Sequence, residues 1–122
     1  MSNQAPNTKP KYDLAERTSK FGKSVILFVA SLPLSAINQP LINQFVRSAT
    51  SVGANYMEAD CAESKKDFIH KIGISKKEAK ETTHWLRMLA TAEPGQAEIC
   101  KKLWQEAHEL TLIFSSIVKR KY

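Results

Sequence analysis

Chain breakers are scarce. The 122 residues include four glycines and five prolines, and every proline lies outside the strongly periodic stretches or at their edges. A fold of many short strands needs more of both, so the scarcity favours long helices. Cysteine is nearly absent. Cys61 and Cys100 form no Cys-x-x-Cys pair, which excludes a disulfide framework and fits a reducing compartment. The longest apolar run, residues 25–30, is far too short to span a bilayer. Residues 1–6 contain no apolar leader region. A cytoplasmic chain without a membrane partner is therefore expected. Acid is in deficit: 18 Lys and Arg face 12 Asp and Glu, a formal charge of +6. Such a surface suits an acidic partner, nucleic acid before others.

What is present is ordinary for a globular domain, 43% apolar and 25% charged. The length allows one core and no second domain. Residues 1–11, polar and holding Pro6 and Pro10, read as a flexible lead-in. Residues 12–122 read as one all-α domain.

Four helical stripes are visible. Asp13 with Glu16 three residues on resembles a capping box. The first helix is expected over residues 14–32, with Leu14, Thr18, Phe21, Val25, Phe28 and Leu32 on one face and Pro33 ending it. Residues 34–38 read as a connector. Pro40 suits the first turn of a second helix, whose stripe is Leu41, Phe45, Ser48, Val52, Asn55 and Ala59. Ser64 and Asp67 form a cap for a third, striped by Phe68, Ile72, Ser75, Ala79, Thr82, Leu86 and Leu89. Whether a loop separates helices two and three is open. Pro94-Gly95 is the clearest turn. A fourth helix over about residues 96–118 turns Leu103, Ala107, Leu110, Phe114 and Ile117 inward. Four amphipathic helices with short links predict an antiparallel up-down-up-down four-helix bundle.

The apolar residues exceed one stripe per helix. Residues 25–29 are apolar without a break, as are residues 112–114, and successive helical side chains point about 100° apart. A solitary bundle would expose Ile26, Val29, Leu112 or Val118 as a patch, so self-association is expected through them.

No set of residues reads as catalytic. Arg47, Ser51, Asn55 and Glu58 share one face of helix two and read as a polar clasp that fixes register or a subunit contact. One carboxylate without a partner acid, base or nucleophile is no catalytic set. Glu81 and His84 match one di-metal step, but the second is missing, because Gln105 precedes His108 by three. No cofactor or metal is expected, and the protein reads as a non-enzyme. Cations do recur: Lys76, Lys80, His84 and Arg87 form a ridge on helix three. With Arg17 and Lys20 on helix one, and Lys119 and Arg120 in the basic tail, they are candidates for phosphate contacts. Asp67–Lys71 and Lys77–Glu81 read as i,i+4 pairs.

The run Gln44-Phe45-Val46-Arg47-Ser48-Ala49-Thr50-Ser51-Val52-Gly53-Ala54-Asn55-Tyr56-Met57-Glu58-Ala59 resembles the central motif of the bacterial four helix bundle proteins. That family includes the protein encoded in intervening sequences of 23S ribosomal RNA genes. The stretch from Ser64 to Thr82, then Trp85-Leu86, and the opening Tyr12-Asp13-Leu14-Ala15 are similar to it as well. The commoner family form has Asn-Ile-Ala-Glu-Gly where this chain has Asn55-Tyr56-Met57-Glu58-Ala59. The resemblance implies a left-handed four-helix bundle assembled as a homopentamer, without known catalysis. Related accessory proteins of diversity-generating retroelements form basic pentamers that bind nucleic acid and a reverse transcriptase. The expectation is thus a homo-oligomeric bundle whose basic surface binds RNA or DNA. The alternative is a protein–protein scaffold, or an accessory subunit for a protein partner.

Overall fold

A computed structural model describes residues 13–121. The expected lead-in, residues 1–11, lies outside the described residues. Helices α1 (Leu14–Ala30), α2 (Asn38–Asp60), α3 (Lys65–Ala92) and α4 (Ala97–Lys121) follow one another, with a single 3-10 turn, Pro94–Gln96, before α4. They form an all-α four-helix bundle. Helix α2 packs on α1 and α3, α3 packs on α4, and a thinner α1–α4 contact closes the ring.

The local signals act as their chemistry dictates. Asp13 accepts from the Glu16 N–H at 3.3 Å and starts α1. Helix α1 ends at Ala30, two residues before the expected Leu32. The residue before Pro33 is sterically pushed out of the α region, so the final N–H groups of Ser31 and Leu32 bond three residues back, to Phe28 and Val29. Leu32 nonetheless stays buried.

Helix α2 begins at Asn38, which the sequence reading placed in the connector. Asn38 Oδ1 accepts from the Ser35 N–H at 2.8 Å, and Ser35 Oγ accepts from the Asn38 N–H at 3.0 Å. This reciprocal pair works as a capping box with asparagine in the glutamate role. Asn38 Nδ2 also donates to the Pro33 carbonyl and to Glu93 Oε2. The fully buried amide therefore ties the α1–α2 connection to the end of α3. A loop at residues 61–64 does separate α2 from α3, and Ser64 Oγ caps α3 by accepting from the Asp67 N–H.

The core is built from Phe21, Val25 and Phe28 of α1, Phe45 and Val52 of α2, Ile72, Leu86 and Leu89 of α3, and Leu110 and Phe114 of α4. Ala59, where the commoner family form has glycine, is buried on it. Small residues let helices come close. A Cβ on Gly53 would stand 3.2 Å from Thr18 Oγ1, so glycine there permits the α1–α2 approach. At the α2–α3 seam the buried hydroxyls are satisfied: Ser48 and Thr82 share a hydrogen bond at 2.9 Å, and Ser75 Oγ donates to the Val52 carbonyl.

The exposed apolar residues differ in part from expectation. Ile26 is 50% exposed and Leu112 54%. Val29 and Val118 instead pack partly against the core. Each follows a fully buried residue, Val25 or Phe114, by four positions and so shares its face. Leu27, Leu34, Ile37, Met57 and Ile99 are exposed, which the sequence reading did not single out.

Candidate nucleic-acid interface

The seams of the bundle divide the charge unequally. At the α1–α4 seam, Arg17 Nε donates to Glu106 Oε2 at 2.7 Å, and its Nη2 donates to Glu106 and Glu109. The Glu106 hydrogen bond, ahead of that from Glu109, raises the guanidinium pKa above its ordinary value. Arg17, a candidate phosphate contact, is therefore already matched by two carboxylates. At the α2–α3 seam, Arg47 donates to Glu78 and Glu81, and Lys71 Nζ donates to Glu58 Oε1 at 2.7 Å. Lys71 and Glu81 make their direct contacts across the seam, because α2 brings Glu58 and Arg47 within reach, while their expected i,i+4 partners Asp67 and Lys77 act on them at longer range.

The polar stripe on α2 is placed by the same contacts. Arg47 and Glu58 bridge to α3 of their own chain. Ser51 Oγ donates to the Arg47 carbonyl and Asn55 Nδ2 to the Ser51 carbonyl, both within α2. Asn55 is half-buried and Glu58 exposed.

Glu81 has a further partner. Trp85 Nε1 donates to its Oε2 at 2.9 Å, and this bond, followed by that of Arg47, holds the carboxyl below its ordinary range. A carboxylate with a depressed folded pKa stabilises the fold above its unfolded pKa, and that contribution is lost as pH falls through the folded value. Glu81→Gln is therefore expected to lower the urea midpoint at neutral pH. The deficit should shrink as pH drops below about 4.3, the ordinary glutamate value. Urea curves from neutral to acid pH check this, and a deficit of constant size would contradict it.

The α3–α4 seam is left to the cations. A groove follows it in three stretches, of which the first two share Gly73, Lys77 and Val118 and the third is separate in its lining. Lys66, His70 and Lys77 line the first, of about 520 Å³. Lys76, Lys77, Lys80 and His108 line the second, of about 620 Å³, with Leu112 and Val118 as apolar surface. Arg87, Lys101 and Trp104 line the third, of about 270 Å³. From Lys66 to Ala90 the groove runs roughly 36 Å at 1.5 Å per residue. Among the described residues, no carboxylate lines any stretch. The reason lies in the helical phase. Glu78 and Glu81 of α3 face α2, and Glu106 and Glu109 of α4 face α1, where arginines hold them.

Of the sequence-predicted cations, Lys76, Lys80 and Arg87 come together in this groove. Lys20 lies beside Arg17 and Glu106 on the other side of α4. Lys119 and Arg120 are exposed near the end of α4 and line no stretch of the groove. Lys66, which the sequence places among the cations at the start of helix three, joins them; sequence reasoning missed Lys77, Lys101, His70 and His108 as members. The signal was the repeat Lys101, Trp104, His108, Leu112, which is a second helical stripe on α4. Leu112 and Val118, expected at a subunit contact, lie beside the lysines. Ile26 lies away from them, with Met57 on the walls of an α1–α2 groove whose floor is Gly22 and Gly53.

Among the described residues, no three His, Cys, Asp or Glu side chains gather as a metal cluster. No helix among them is long and apolar enough to cross a membrane.

The fold defines a class, an all-helical four-helix bundle, here with a groove that no carboxylate lines among the described residues. Within that class the chain belongs to the 23S rRNA-intervening sequence protein family, which its sequence matches over residues 11–116. It is also similar to a crystal structure of a protein of unknown function from the S23 ribosomal protein family of Bacteroides thetaiotaomicron. The two are 31% identical over 86% of this chain and 97% of that one, with a TM-score of 0.75. Comparison with curated proteins gives no match.

Proposed function

We propose that this protein is a non-enzymatic, self-associating bundle that holds RNA or DNA along the α3–α4 groove. The observation that carries the reading is the groove's lining, in which lysines, an arginine and histidines stand without a carboxylate. Cations without a salt-bridge partner among the described residues are available to displace counterions from phosphates, and that release drives sequence-independent binding. The apolar surface of Leu112 and Val118 supports contacts to sugars and bases beside the phosphates. The family name points to 23S rRNA intervening sequences, which makes such an RNA the natural first probe.

Fluorescence anisotropy of labelled RNA and DNA at rising salt tests the reading. Log affinity should fall linearly with log salt, by about 0.7 per contacted phosphate for a single strand and about 0.9 for a duplex. Affinity that holds steady as salt rises would defeat the phosphate-contact account and favour a protein scaffold.

Self-association rests on the other face. Ile26 and Met57 are both about half exposed and share the α1–α2 groove, and helices dock closely over a floor of small residues such as Gly22 and Gly53. Light scattering of the wild type should give a mass near five times the 13.7 kDa chain, the pentamer that the family resemblance suggests. Ile26→Asp should shift it to the single-chain mass, since burying an unpaired carboxylate is costly. An unchanged mass would remove Ile26 from the contact.

A further inference from the structure

The far end of the α3–α4 groove differs from the rest. It is a smaller, open depression of about 270 Å³ whose wall includes the Trp104 ring. The other walls are small or apolar, Leu86, Ala90 and Ala97 among them, and the two charged residues are Arg87 and Lys101. Trp104 stacks on His108, with ring centroids 4.9 Å apart and planes 13° from parallel. That contact covers one face of the indole and orients the ring. The ring is half-buried against the core, and the part of it left uncovered lines the cavity.

We propose that this cavity takes an unpaired base of a single-stranded nucleic acid. The base stacks on Trp104, and its flanking phosphates meet Arg87 and Lys101. The inference rests on the nucleic-acid reading of the groove and adds to it which form of the polymer is preferred. The charge complementarity is one-sided: two cations flank the opening, and no acid lines it to repel a phosphate. Stacking on an aromatic ring is tolerant of sequence, because every base offers a π-face. A base held in a duplex already stacks on its neighbours and cannot enter. The groove therefore discriminates single strands from duplexes at this one end, while the lysines of its middle stretch treat both alike.

The test uses the full chain with oligouridylate, oligothymidylate and a blunt-ended RNA duplex as probes. Trp104→Ala should weaken oligouridylate and oligothymidylate at least about fivefold, the lower end of what one stacked base contributes. Its effect on the duplex should be far smaller. Trp104→Phe should restore most of the single-strand affinity, because a ring remains. A second measurement does not depend on that variant folding. In Trp85→Phe, Trp104 is the remaining tryptophan of the two in the chain, and its emission should be quenched by oligouridylate and not by the duplex.

An unquenched Trp104, or single-strand affinity within about twofold of wild type in Trp104→Ala, overturns the subsite. If charge reversal at Lys76 and Lys80 still weakens binding in that case, the groove reading stands without it. A wild type that binds none of the three probes removes both.

Discussion

Lys76→Glu combined with Lys80→Glu is expected to lower RNA affinity on the order of a hundredfold at low salt. Both side chains are exposed, both line the widest part of the α3–α4 groove, and neither has a salt bridge among the described residues. The double change removes two phosphate contacts and places two anions where the polymer lies. The salt dependence should flatten with it, by about one unit of slope for each lost contact. Stability should hardly move, because exposed substitutions without structural partners usually stay within about 0.5 kcal/mol. Lys102→Glu changes the charge of α4 equally at an exposed position outside the groove, and it should leave most of the affinity in place. Equal losses from Lys102→Glu and from either groove substitution would mean that net charge, not the groove, governs binding.

Phe45→Ala is expected to cost about 3–5 kcal/mol of folding free energy. Phe45 is fully buried, and its ring meets Phe28 of α1 edge-on at 6.5 Å. It stands where α1 and α2 converge on the core, so truncation leaves a void that neither helix can close without moving the other. Domains of this kind have a net stability of only about 5–15 kcal/mol, and the variant should sit near the edge of folding. Urea denaturation checks this through a large drop in midpoint at similar slope. A loss below about 1 kcal/mol would contradict the packing described for α2.

The fold was largely legible because its signals are local. The caps at Asp13 and Ser64, the turn at Pro94-Gly95 and the three-and-four spacing of the buried residues depend only on neighbours in the chain. The start of α2 was misplaced because Ser35 and Asn38 cap each other in a form in which asparagine replaces the usual glutamate. The buried contact of Asn38 with Glu93 joins residues 55 positions apart and has no local trace.

The groove was half legible for a related reason. The cations of α3 are regularly spaced, so Lys76, Lys80 and Arg87 could be read as a ridge. Which cations stay free depends on which helix brings an acid beside them. Arg17 finds Glu106 at a separation of 89 residues, and Arg47 finds Glu81 at 34. Spacing along one helix carries no record of either meeting. The contribution of α4 was overlooked because Lys101 was not singled out, His108 was weighed only for a metal step and Leu112 only for a subunit contact, and only the α3–α4 packing places them opposite the lysines.

Lysine footprinting tests the central claim most directly. The protein would be acetylated with and without RNA at low salt, and the extent at each lysine read by mass spectrometry. Shielding concentrated on Lys66, Lys76, Lys77, Lys80 and Lys101, with Lys20, Lys23 and Lys102 labelled as before, is the predicted result. Uniform shielding, or protection centred on the α1 lysines instead, would contradict it.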